Sequence, residues 1–165
     1  MAAGATYTPI ATHTVTSDTA SFGFTSIPST YTDLVLVTQV AETTNGFYYI
    51  RFNNDSSSIY SRTYVQGNGT AASSGRQTAQ TGMTSGGNPA FPSASISNFN
   101  IMNYANTTTY KTALQRYDRA DSATSAAVWL WRSTAAISSI YIVSPYGGAT
   151  LETGTNVTLY GIAAA

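Results

Sequence analysis

The sequence lacks cysteine altogether, so it has no disulfide framework, no thiol nucleophile and no cysteine-ligated metal. That absence suits reducing and oxidising compartments alike and identifies neither. Charge is nearly as scarce. Only 8% of the 165 residues are charged, where a soluble domain usually carries about 25%. Seven basic and seven acidic residues cancel to a net charge of zero. Lys111 is the sole lysine, His13 the sole histidine, and the arginines are scattered without a run. A chain with no basic excess offers no electrostatic footprint for DNA or RNA, so no nucleic-acid partner is expected. No stretch approaches 18 apolar residues, and the first residues have neither the basic start nor the apolar core of a signal peptide. No membrane association is expected. A near-zero net charge favours association over dispersal.

What is present is aromatic and aliphatic. Hydrophobic residues make up 42%, including 12 Tyr, 6 Phe and 2 Trp. That content excludes a disordered chain, and a chain of about 150 residues buries enough surface to fold without a staple. The ordered segments are dominated by Thr, Val, Ile, Tyr, Phe and Trp, which favour strands, and helical periodicity is hard to find. Short strand-like runs occupy 10–16, 20–25, 34–41, 47–53, 59–65, 95–102, 110–117, 126–132, 137–143 and 156–162. Turn residues separate them, including Asn45-Gly46 and the Pro145–Gly148 stretch. Residues 1–9 read as a flexible arm, and 10–165 as one domain. From about 66 to 94 the composition turns to Gly, Ser, Thr and Asn, which reads as a long loop. About ten short strands with this spacing predict an all-β fold, a two-sheet antiparallel β-sandwich, jelly-roll-like.

Side chains alternate across a strand. In Val128-Trp129-Leu130-Trp131 neither face is polar. Val128 and Leu130 provide an inward aliphatic row, which leaves Trp129 and Trp131 on the opposite face, at least one of them expected to be buried by a second subunit or another partner surface, with Arg132 at the rim. The competing account puts both tryptophans in the core and turns Val128 and Leu130 outward. Tyr49 and Arg51 share a face opposite Tyr48, Ile50 and Phe52. In the next run, Ile59 and Val65 are read as inward and Tyr60, Arg62 and Tyr64 as outward. Tyr, Trp and Arg are enriched at binding hot spots, so Trp129, Trp131, Arg132, Tyr49, Arg51, Tyr60, Arg62 and Tyr64 form the candidate interface. The expected core is Leu34, Leu36, Ile50, Phe52, Val128, Leu130, Ile140, Ile142, Val157 and Leu159.

Catalytic patterns are missing. His13 has no Gly-x-Ser-x-Gly partner motif. The carboxylates stand alone except Asp118 and Asp121, which lack the dense ligand ladder of a calcium loop. The glycine-rich segments follow no phosphate-binding pattern. The expectation is a non-enzymatic protein with no metal and no cofactor.

Several stretches together carry a resemblance. They are Ile27-Pro28-Ser29-Thr30-Tyr31-Thr32-Asp33-Leu34-Val35-Leu36-Val37, Ile50-Arg51-Phe52-Asn53, and Tyr60-Ser61 with Gly67 and Gly69. Later come Asn103-Tyr104-Ala105-Asn106-Thr107-Thr108-Thr109-Tyr110-Lys111-Thr112, Leu130-Trp131-Arg132-Ser133-Thr134-Ala135-Ala136-Ile137 and Thr158-Leu159-Tyr160-Gly161-Ile162. Their order resembles small β-sandwich virion structural proteins of tailed bacteriophages, cyanophages especially, over residues 10–162. The resemblance implies a particle component made in the host cytoplasm and carried on the capsid exterior. It implies a decoration, or cement, protein that binds the assembled major capsid protein, commonly as a homotrimer. The alternative is a tail-fibre or baseplate β-domain that recognises host glycans, with Tyr49, Tyr60 and Tyr64 as a stacking platform.

Overall fold

Branched and aromatic side chains fit a pleated surface, and the chain is built from strands accordingly. The structure, a computed structural model, describes residues 6–44, 46–84, 91, 93–119, 121–145 and 147–163. Its strands are β1 (Tyr7–Thr14), β2 (Ser21–Phe24), β3 (Asp33–Val40), β4 (Tyr49–Phe52), β5 (Tyr60–Gly67) and β6 (Ala72–Gln80). They continue with β7 (Met83–Thr84), β8 (Ser95–Met102), β9 (Lys111–Arg119), β10 (Ala123–Trp131), β11 (Ile140–Val143) and β12 (Asn156–Ile162). No helix occurs among the described residues.

Two antiparallel sheets pack as a sandwich. The large sheet has eight strands in the order β1-β12-β3-β8-β9-β10-β5-β6, and the small sheet has four, β2-β11-β4-β7. Four of the pairings are nested: β1 with β12, β2 with β11, β3 with β8, and β4 with β7. First pairs with last and the pairs alternate between sheets, a wiring compatible with the jelly-roll-like expectation. Two hairpins are inserted into it. β5–β6 follows β4, β9–β10 follows β8, and together they extend the large sheet by four strands beyond β8.

The core lies between the sheets. Leu34, Leu36, Phe99, Ile101, Val157 and Leu159 from the large sheet meet Phe24, Ile50, Phe52, Ile140 and Ile142 from the small one. Eight of the ten expected core residues are buried, and Val128 and Leu130 are not. Val128 is 47% exposed and Leu130 half-buried, while Trp129 and Trp131 are 0% and 3% exposed. Register explains the inversion. Trp129 lies opposite Ala113 and Arg62, and Trp131 opposite Lys111 and Tyr60, all on the core side. An indole is inexpensive to bury once its N–H is bonded, and both are. Trp129 Nε1 donates to Gln115 Oε1 at 2.7 Å, and Trp131 Nε1 to Asp55 Oδ2 at 2.8 Å. Strand β5 is inverted in the same way: Tyr60 is fully buried, Val65 is 59% exposed and Ile59 is half-buried.

The segment read as a long loop is also different. Residues 72–80 form β6, and Met83 and Thr84 form β7, while 85–90 and 92 lie outside the described residues. The turn into β6 is fixed by Asn68, whose Oδ1 accepts from Thr70 N and Ala71 N at 3.1 and 2.8 Å. Gly69 supplies the positive φ of 84° that this turn needs. Of the expected arm, Tyr7, Thr8 and Pro9 belong to β1 and pair with β12, and 1–5 lie outside the described residues.

Candidate docking face

The eight candidate interface residues do not form one surface. Five of them make an internal cluster where the inserted hairpins meet the small sheet. Tyr60 and Trp131 stack with centroids 6.2 Å apart, and the Phe52 ring meets Trp131 edge-on at 5.5 Å. Beside them the Arg62 guanidinium carbon lies 4.5 Å from the Tyr64 ring centre and 5.3 Å from that of Trp129. Arg62 Nε donates to Gln77 Oε1 at 2.9 Å. Burial lowers the Arg62 pKa and raises that of Tyr60. These contacts make a structural network. Arg132 is half-buried, and its Nη1 donates to the Ile59 carbonyl at 3.1 Å.

Tyr49 and Arg51 lie elsewhere, on the small sheet, with their side chains opposite to Ile50 and Phe52. Arg51 Nε donates to the Thr81 carbonyl at 3.0 Å. A stacking platform of Tyr49, Tyr60 and Tyr64 is therefore not assembled: Tyr60 has no exposed surface, and Tyr49 and Tyr64 belong to different sheets. His13 stacks on Phe22 at 4.1 Å. Asp121 is bound by Arg119 at 2.8 Å. No group of three or more potential metal ligands occurs among the described residues, and no described helix is long and apolar enough to cross a membrane.

The open apolar surface is the other side of the large sheet. Register puts Leu114 of β9 opposite Val128 of β10 and Asn100 of β8. One row along, Arg116 faces Ala126 and Asn98, and Ala126 faces Val65 of β5. In the next row Ile96 and Thr124 flank Asp118. Val65, Ile96, Leu114 and Val128 are exposed here, with Val37 and Met102 further out on the same face. The surface is concave. It holds an open groove of about 950 Å³ between the β5–β6 hairpin and β8, and a neighbouring one of about 460 Å³ over Leu114 and Val128. Val65, Asn98, Arg116 and Ala126 line both. Arg116 and Asp118 are the charged residues lining them.

The signal for this face was present in the sequence as Val128 and Leu114, but a strand apolar on both sides does not say which side is wet. No protein-family model matches the chain, and no curated protein matches it.

Proposed function

We propose that the protein is a non-enzymatic capsid decoration protein of a tailed phage, docking on the assembled major capsid protein shell through the outer face of its large sheet. The observation that carries this reading is the exposed apolar groove with two charges. The largest apolar patch on a soluble monomer is often a functional contact surface. Five strands from β3 to β5, each of eight or nine residues, present roughly 600 Å² at ~4.8 Å spacing and ~3.3 Å rise. That approaches the ~800 Å² per partner of a standard interface.

The mechanism is mass action. A partner that binds the assembled shell and not its free subunits stabilises the shell by its binding free energy. Repetition over symmetric sites multiplies a modest contact. The sandwich supplies a rigid platform, because each strand of the docking face is backed by core residues on its other side.

The test is to label the protein on intact virions and count copies. Copies spread over the head in multiples of the capsid symmetry support decoration. A few copies confined to the tail overturn it.

A further inference from the structure

A sheet ends in edge strands with unpaired N–H and C=O groups, and proteins shield such edges with short strands, bulges, proline or lysine. The two sheets have four edges. In the small sheet β2 has four residues and β7 has two. In the large sheet β1 contains Pro9, which has no N–H, and its register breaks between Pro9 and Ala11. The fourth edge is β6. It runs for nine residues without proline or lysine, and no described strand lies beyond it. Its register against β5 stays regular from Ala72 to Gln77, and Ala79 then bulges with a φ of 54°. Residues 72–78 are an edge with no described strand beyond it, the Thr78 carbonyl accepting from Gln80 Nε2 at 2.9 Å.

We propose that β6 pairs antiparallel with β6 of a second copy about a two-fold axis normal to the sheet. Gly75 lies opposite Gly75 of the partner subunit, and the two eight-stranded sheets become one. Such an axis keeps every side chain on its own face, so each residue opposes one of the same parity. Gly75 is the midpoint of 72–78 and gives the longest ladder. It sets Ser74 against the partner's Arg76 and Ser73 against the partner's Gln77. Arg76 is the only charge on β6. Centring the ladder on Arg76 would oppose two guanidinium groups, whereas the Gly75 centre puts a hydroxyl before each. A Cβ at Gly75 would lie 2.8 Å from Tyr64 Oη and would have to displace that end of the tyrosine. The midpoint thus carries no side chain, and two backbones can approach closely there. The chain's zero net charge adds no long-range repulsion between copies. The grooves of both copies, each walled by Ala72, Ser73 and Ser74, end up side by side on one face.

This contact builds a dimer and not the three-fold ring that the phage resemblance implies, and it does not depend on the decoration reading. Sedimentation equilibrium of the full chain tests it. The wild type is expected as a concentration-dependent monomer–dimer. Ser74→Glu puts a carboxylate opposite the partner's Arg76 twice per dimer and tightens it. Ser74→Lys opposes like charges and weakens it. The two variants should differ about tenfold in dimer Kd, with unchanged circular dichroism. Adding Arg76→Glu to Ser74→Lys restores association. A monomer at all concentrations, a trimer, or a dimer indifferent to the sign of the charge at position 74 overturns the pairing. Copy counting on virions is unaffected by any of these results.

Discussion

The indole N–H of Trp131 donates to Asp55 Oδ2 at 2.8 Å, tying the last residue of β10 to the turn that follows β4. Asp55 also accepts from Ser57 N at 2.9 Å and from the Ser57 hydroxyl. Tyr60 completes the corner. Its Oη accepts from Phe52 N at 3.0 Å and donates to the Asp55 carbonyl at 3.3 Å. The inserted hairpins are thereby anchored to the small sheet by buried aromatics whose polar ends are all bonded.

Trp131→Ala should cost about 3–5 kcal/mol of folding stability, as for other large core aromatics. Trp131→Phe keeps most of the ring but leaves Asp55 without its indole donor, and should cost about 1–3 kcal/mol. Urea denaturation measures both. A Trp131→Ala protein as stable as wild type would remove Trp131 from the core.

Asp55 also makes stability depend on pH. Burial pushes its carboxyl up, but the Ser57 hydroxyl and N–H, Trp131 and the nearby Arg51 prevail and hold it below the ordinary value. A carboxyl with a depressed folded pKa contributes stability above its unfolded value of about 3.9, and the contribution disappears as pH falls through the folded value. Asp18, held low by the N–H and hydroxyl of Thr153, acts in the same direction. The melting temperature should therefore fall on acidification below about pH 4. Asp55→Asn should lower it at neutral pH and flatten that fall. An equal acid slope in both proteins would exclude the Asp55 linkage.

Gly161 in β12 has no room for a side chain. A Cβ there would lie 2.3 Å from Tyr31 Cγ, at the root of the ring. Gly161→Ala should cost about 1–3 kcal/mol by overpacking. Combining it with Tyr31→Ala should cost less than the sum of the single changes. Strict additivity in a double-mutant cycle would show that the ring is not the obstacle.

The proposed docking face predicts the opposite behaviour from the tryptophan corner. Leu114→Ser with Val128→Ser removes apolar surface that is already exposed, so folding should change by no more than about 1 kcal/mol. Cosedimentation with capsid shells should be lost. Retained binding would move the docking surface elsewhere on the molecule.

Periodicity made the sandwich legible. Strands such as β3, β8 and β12 carry alternating or continuous apolar runs, and their central residues fill the core. It failed where a strand is apolar on both faces. Val128-Trp129-Leu130-Trp131 offers two hydrophobic rows, and the choice between them rests on Gln115 and Asp55, which accept from the indoles across distant sequence. β6 was illegible for another reason. Ala-Ser-Ser-Gly-Arg-Gln-Thr-Ala-Gln contains Thr as its only strong strand former, and its extended form comes from the ladder with β5. Residues 1–9 read as an arm, yet an edge strand tolerates proline, and β1 runs through Pro9. The exposed apolar face follows from the same inversion: once the tryptophans turn inward, Val128 and its neighbours must turn out.

The position of β12 between β1 and β3 has a kinetic consequence. The Asn156 side chain bonds Thr14, 142 positions earlier in the chain. The β5–β6 and β9–β10 hairpins close over short loops and can form early. The slot between β1 and β3 stays empty until the last strand has been synthesised and has searched for it, and distant pairings of this kind are slow. During that interval both neighbours of the slot present open edges to other nascent copies. Soluble yield should therefore be set by a race between β12 insertion and intermolecular strand pairing, and slower synthesis at lower temperature should favour insertion.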